Sequence, residues 1–265
     1  MTVALMYHGL YTDESDLSRI DLQDQPYAVS KADFESQLQI LKTLKTGVAG
    51  DQLPDVIVTF DDGHVSNYEI AFPILAEAGI PAYFFITTDF IEGRAHFCQP
   101  RHLREMHEAG MIIGSHGKSH RFFADLEDCE AVLEFEESRR AIESFIEGPV
   151  ESISFPGGRY QKHNLEQAQA AGYREIYGSG FGVINRFPEK SGKSSIPEKA
   201  LERIAIRKTT DIDTFSKIVQ CDSAYYRREG AKVRGKELLK RILGNQRYHA
   251  LYKYAAERRL SLIHI

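Results

Sequence analysis

Two tandem carboxylates, Asp61 and Asp62, and two histidines four residues apart, His116 and His120, are the side chains of this 265-residue chain best suited to chemistry. Neighbouring carboxylates repel unless something positive sits beside them. Histidines at i and i+4 converge on one ion if their turn is helical or tightly looped. One carboxylate and two histidines are a ligand set for a catalytic divalent metal that keeps an open position. The other carboxylate is then free to take a proton from water whose pKa the ion lowers from ~15.7 towards ~7. Alone, Asp-Asp-Gly is as easily a turn, and His-x-x-x-His two surface histidines. At the ends of predicted strands, the pair points to metal-assisted hydrolysis.

The elements that must position these groups read as repeated βα units, with short apolar runs alternating with amphipathic stretches. Strands are predicted over residues 3–8, 55–60, 82–87, 111–114, 152–155, 173–177 and 203–207. Ser30, with Asp33 three residues on, caps a helix whose apolar stripe is Phe34, Leu38, Leu41 and Leu44. Further helices are predicted over 73–78, stopped by Gly79 with Pro81 beyond, over 101–109 and over 127–147. Seven parallel strands with helical crossovers must be covered on both faces or closed into a barrel. Functional residues of such folds gather where strands end. Four polar clusters do so here: Tyr7-His8-Gly9, Thr59 to Gly63, Ser115 to His120, and Phe155 to Tyr160.

Together these motifs resemble the polysaccharide deacetylases with a NodB-homology domain (carbohydrate esterase family four). Thr-Phe-Asp-Asp-Gly at 59–63 is similar to the family's first motif and Ser-His-Gly-Lys-Ser-His at 115–120 to its second. Leu-Met-Tyr-His-Gly near the start, Gly-Ile-Pro-Ala-Tyr-Phe-Phe-Ile from Gly79 and Leu-Arg-Glu-Met-His-Glu-Ala-Gly-Met-Ile-Ile-Gly from Leu103 extend the likeness over residues 3–210. The resemblance implies an α/β fold, a distorted (β/α)7 TIM-like barrel. It implies hydrolysis of an N-acetyl amide on an N-acetylhexosamine-containing glycan or precursor, in exopolysaccharide or cell-envelope assembly. By family role, Asp61 is the base. Asp62, His116 and His120 hold Zn²⁺ or another divalent transition metal such as Co²⁺ or Ni²⁺. A backbone N–H at Gly157 steadies the oxyanion. An amidohydrolase acting on a non-glycan C–N bond, or a catalytically impaired glycan-binding relative, are the alternatives. Intact Asp61 argues against the binding protein.

Two departures stand out. The third motif's arginine, which orients the catalytic aspartate, is replaced by Ser154. Arg159 within the same loop, Arg203 and Arg207 are the candidates to supply its charge, and Arg159 is carried as the catalytic candidate. It reads equally well as a loop charge. The fifth motif's histidine is missing from Leu-Glu-Arg-Ile-Ala-Ile-Arg at 201–207. His8, His163 and His64 are candidate proton donors in its place, and His8 is favoured because a strand-end histidine faces the site. Phe122, Phe123 and Tyr160 are read as ring-stacking or core residues.

Composition sets the remaining bounds. With 42% hydrophobic and 27% charged residues and a net charge of -5, the chain is globular and not built to coat nucleic acid. Cys98, Cys129 and Cys221 lack C-x-x-C spacing, which argues against a disulfide framework and a thiolate zinc site. No apolar run approaches ~18 residues, and no basic, apolar leader opens the chain. A cytoplasmic protein is expected. Residues 180–199 read as a long loop. Residues 1–222 are expected to form the catalytic domain and 223–265 a basic, helical extension. Within it, 225–259 carry eleven Lys/Arg against three Asp/Glu. That stretch suits either peripheral contact with an anionic membrane or packing against the barrel.

Overall fold

The computed structural model describes residues 1–46, 54–91, 93–185, 197–236 and 238. The chain divides into two compact units, Met1–Cys221 and Asp222–Ile265. In the second, residues 223–236 are helical. The helical rhythm expected up to 259, like most of the loop expected over 180–199, lies outside the described residues.

Among its described residues the first unit has nine strands: β1 (Thr2–Tyr7), β2 (Leu10–Tyr11), β3 (Val29–Ser30), β4 (Asp55–Phe60), β5 (Ala82–Ile86), β6 (Ile112–Ser115), β7 (Ser152–Ser154), β8 (Glu175–Tyr177) and β9 (Ile204–Ala205). Seven form one sheet in the order β8-β7-β6-β5-β4-β1-β9, and every pairing in it is parallel. The sheet curls into the distorted (β/α)7 barrel expected from the sequence. Its two ends meet where Leu201, just ahead of β9, pairs with Tyr177 of β8. All six residues of β1 are buried, as a strand covered on both faces requires.

Among the described residues, six α-helices cover the barrel: α1 (Lys31–Thr46), α2 (Phe72–Ala78), α3 (Pro100–Glu108), α4 (Asp128–Ile146), α5 (Lys162–Ala170) and α6 (Ile212–Val219). Ser30 caps α1 as expected: its hydroxyl accepts from the Asp33 N–H at 3.0 Å and donates to the Asp33 carboxylate at 2.6 Å. Gly79 ends α2 at φ +63°, where a side chain would be strained. The sequence reading missed α5 and α6. Each carries a short polar start signal: the Asn164 carbonyl oxygen accepts from the Gln161 N–H, and the Asp211 carboxylate from the Thr214 N–H. It also drew β9 too long, although the Ile206 N–H still reaches the Met6 carbonyl at 2.9 Å.

A column of aromatic rings joins the strands that carry the site. Tyr7 of β1 stacks on Phe60 of β4 at 5.3 Å, and Phe60 on Phe84 of β5 at 5.0 Å. Phe34 of α1 closes edge-on against Tyr7 and Phe60. Such packing sets the relative heights of neighbouring strand ends, and hence of the residues just beyond them.

Candidate active site

The C-terminal ends of β1, β4, β6 and β7 open onto a cavity of about 330 Å³. His8, Asp61, Asp62, His116, His120 and Gly157 all line it. Asp62, His116 and His120 each offer a donor atom within 4.8 Å of the other two. His120 Nε2 lies 3.1 Å and His116 Nε2 3.4 Å from Asp62 Oδ1. Yet that oxygen is buried without a hydrogen bond of acceptable geometry. Three potential ligand atoms therefore converge on one point. The Nδ1 of His116 sits 2.8 Å from the Ser154 carbonyl, which can only accept. That contact places the ring proton on Nδ1 and leaves Nε2 free to ligate. This donor set fits a divalent transition metal, with Asp62, His116 and His120 as the residues that would hold it.

Asp62 and His120 both adopt left-handed backbone angles, at φ +74° and +64°. Residues with side chains seldom do so unless their surroundings enforce it. Burial opposes charge on Asp62, but His120, His8 and His116 outweigh it, and its pKa falls well below the usual carboxylate range. Burial pushes the His116 pKa down to about 4 against the pull of Asp61 and Asp62. At the more open His120, burial is overcome by Asp62, and the pKa is raised.

Asp61 is held from across the barrel. Arg203, 1% exposed just ahead of β9, donates to Asp61 Oδ1 at 2.6 Å and to Oδ2 at 2.7 Å. Its other three N–H groups go to the Thr59 hydroxyl at 3.0 Å, the Ser154 hydroxyl at 2.6 Å and the Gly178 carbonyl at 2.8 Å. All five guanidinium donors are thus used, in the forked geometry that arginine offers and lysine does not. Burial works to raise the Asp61 pKa, but Arg203 and, after it, His116 prevail, and the carboxyl stays below its ordinary value. Asp61 Oδ2 faces the donor cluster, 3.9 Å from His116 Nε2.

This corrects the expectation for Arg159. Its guanidinium donates to Asp125 at 3.1 Å and lies over the Phe122 ring, half exposed on the outer side of the motif loop. Arg207 is also exposed, over Tyr27. Ser154, too small to supply a charge, leaves the space Arg203 fills, and its hydroxyl donates to Asp61 Oδ2 at 3.4 Å. A signal for Arg203 was present: an arginine in a strand of a closed barrel must find a buried anion.

Among the three candidate proton donors, only His8 lines the cavity. Its buried Nδ1 has no partner, and its ring lies 4.9 Å from that of Tyr27. His64 is engaged by Ser66 and the Arg19 carbonyl, and His163 pairs with Asp128 on the surface. Gly157 sits at φ +59°, where an added Cβ would meet the Phe122 ring at 2.8 Å. Phe122 lines the mouth, whereas Phe123 is core and Tyr160 stacks on Phe155. The sequence reading missed Gln23, Asp24 and Tyr27, which wall the cavity from the segment between β2 and β3. Burial and the nearby Asp62 raise the Asp24 pKa.

Fold and site together define a parallel (β/α) barrel of the deacetylase type. Residues 51–176 match the polysaccharide deacetylase family model, the family that the motifs resemble. YxkH of Bacillus subtilis, itself assigned to the polysaccharide deacetylases, is 27% identical over 183 residues, 64% of this chain. The match covers 61% of that relative's length. The Streptococcus pyogenes deacetylase PplD, solved in complex with acetate, superposes with a TM-score of 0.64 at 20% identity, over 82% of this chain and 97% of that one. A de-N-acetylase from Aggregatibacter actinomycetemcomitans gives 0.64 at 18% identity, over 82% and 99%. At such identities the likeness establishes the fold.

Proposed function

We propose that this protein is a metal-dependent hydrolase that removes N-acetyl groups from an N-acetylhexosamine-containing glycan or glycan precursor. One observation carries the reading: a carboxylate locked by a buried arginine stands beside an Asp-His-His donor cluster on the floor of an open cavity. When bound, a divalent ion supplies Lewis acidity to the amide carbonyl and acidifies water. Asp61 accepts the proton that water gives up. Because Arg203 keeps it ionised, Asp61 is a weak base, suited to water already made acidic. The Gly157 N–H, at the cavity wall, stabilises the developing oxyanion. His8, on the opposite wall and free at Nδ1, delivers a proton to the departing amine. Phe122 and Tyr27 offer flat apolar faces to a sugar ring.

Acetate release from a panel of N-acetylated sugars and oligosaccharides tests this. The wild type should release acetate with Zn²⁺, Co²⁺ or Ni²⁺ and lose that activity on chelation and in Asp61→Asn. Release that persists after chelation would refute the metal-dependent reading. Hydrolysis confined to non-sugar amides would overturn the substrate class.

A further inference from the structure

The left-handed backbone at His120 needs something to hold it. The turn 117–119, which separates His116 from His120, is bound from below by α4. Glu134, 7% exposed on that helix, accepts from the Lys118 N–H at 2.6 Å and the Ser119 N–H at 2.9 Å through Oε2. Its Oε1 accepts from the Ser119 hydroxyl. Among the described residues no cation lies within ion-pair distance of this buried carboxylate, so the turn's own donors solvate it. One helical turn on, the Ser138 hydroxyl lies 2.8 Å from that of Ser115, which in turn accepts from the Gly117 N–H at 3.0 Å. From above, the Thr88 and Asp89 N–H groups bond the Gly117 and Lys118 carbonyls.

We infer that Glu134 is a positioning residue for the Asp62–His116–His120 cluster. Its carboxylate fixes the turn 117–119 so that His120 Nε2 points back towards Asp62 and His116, and it thereby sets the cluster's affinity for a divalent ion. This rests on the metal-centre reading proposed above. The three loop donors need two acceptor oxygens. A glutamine of the same shape has one: with that oxygen on the two N–H groups, its NH₂ faces the Ser119 hydroxyl, and the negative charge that strengthens all three bonds is lost. Glu137 contacts the same turn only through the exposed Lys118 ammonium at 2.7 Å, and so serves as the control.

The test compares full-length wild type, Glu134→Gln, Glu137→Gln and Ser119→Ala. Zn²⁺ affinity is measured by competition with a chromophoric chelator, the d–d absorption is recorded after Co²⁺ loading, and the metal-free proteins are melted. Glu134→Gln should lose about 10- to 100-fold in Zn²⁺ affinity, the range for a group that orients a ligand, with an altered Co²⁺ spectrum. Glu137→Gln should match the wild type in both. Ser119→Ala, which loses only the hydroxyl bond, should fall by roughly three- to tenfold and decides the matter if Glu134→Gln does not fold. Wild-type affinity and spectrum in Glu134→Gln, whatever its melting temperature, or unchanged affinity in Ser119→Ala if Glu134→Gln does not fold, would overturn the inference. A wild type that binds neither ion would bring down the metal-centre reading itself, and this inference with it.

Discussion

Arg203→Met isolates the charge that holds Asp61. Both side chains are buried, the guanidinium fully so, and five hydrogen bonds end on it. Removing one member of a buried ion pair costs about 3–5 kcal/mol, because the other is left charged in a poor solvent. At about 2–4 °C per kcal/mol, the melting temperature at neutral pH should fall by about 6–20 °C. The effect should depend on pH, with a sign fixed by the carboxyl. In the wild type the Asp61 pKa is lowered, so its ionisation stabilises the fold above the unfolded value, ~3.9, and that contribution fades as pH falls through the folded value. In the variant, burial acts without its strongest opponent, and the folded pKa climbs past the unfolded one. The charge then destabilises the fold at neutral pH, and protonation relieves it. The gap between wild type and variant should be widest near pH 7–8 and narrow towards pH 5, and the acid limb of kcat/KM should move to higher pH. Asp61→Asn placed on top of Arg203→Met should restore much of the lost stability, since an amide needs no counterion. Thermal melts and pH–rate profiles read both effects. A melting gap constant across pH, with no recovery in the double variant, would refute the argument that Arg203 acts through the Asp61 charge.

Asp61→Asn should lower turnover by about 10²–10⁴-fold while binding Zn²⁺ as the wild type does, checked by acetate release beside metal stoichiometry. His8→Ala should likewise cut turnover and keep its metal; normal turnover would remove His8 from the reaction. Gly157→Ala places a side chain at φ +59° and 2.8 Å from Phe122. It should cost about 1–2 kcal/mol of stability and reduce kcat/KM by displacing the loop that carries the N–H, as read by melting and by steady-state kinetics. Arg159→Ala, which removes only a surface pair with Asp125 and the contact with Phe122, should leave turnover within about threefold of wild type.

The split between what the sequence disclosed and what it hid follows the range of the interactions. Asp62 and His116 were legible because each lies one or two residues past a strand whose apolar run is plain, and a parallel barrel brings such ends together; His120 was legible from its spacing of four from His116. The strand pattern was legible for the same reason: β1 and β4 are nearly continuous apolar runs, and Gly79 and Ser30 mark helix ends through local backbone chemistry. Asp24 and Tyr27 were not, since nothing in the run from Leu22 to Tyr27 says that it folds back over the cavity. Arg159 was favoured by nearness along the chain, but nearness in the barrel decides. Ser154 and Arg203 are 49 residues apart, yet their side chains meet at 2.6 Å beneath Asp61. A closed ring of strands lets any of several strand ends deliver a charge to one central point. The role of an arginine beside the base is thus fixed by geometry, while the strand that supplies it is free to differ. The serine in the motif is then the mark of a charge supplied from elsewhere. An ionised aspartate buried beside two histidines that must stay neutral to bind a metal cannot do without one.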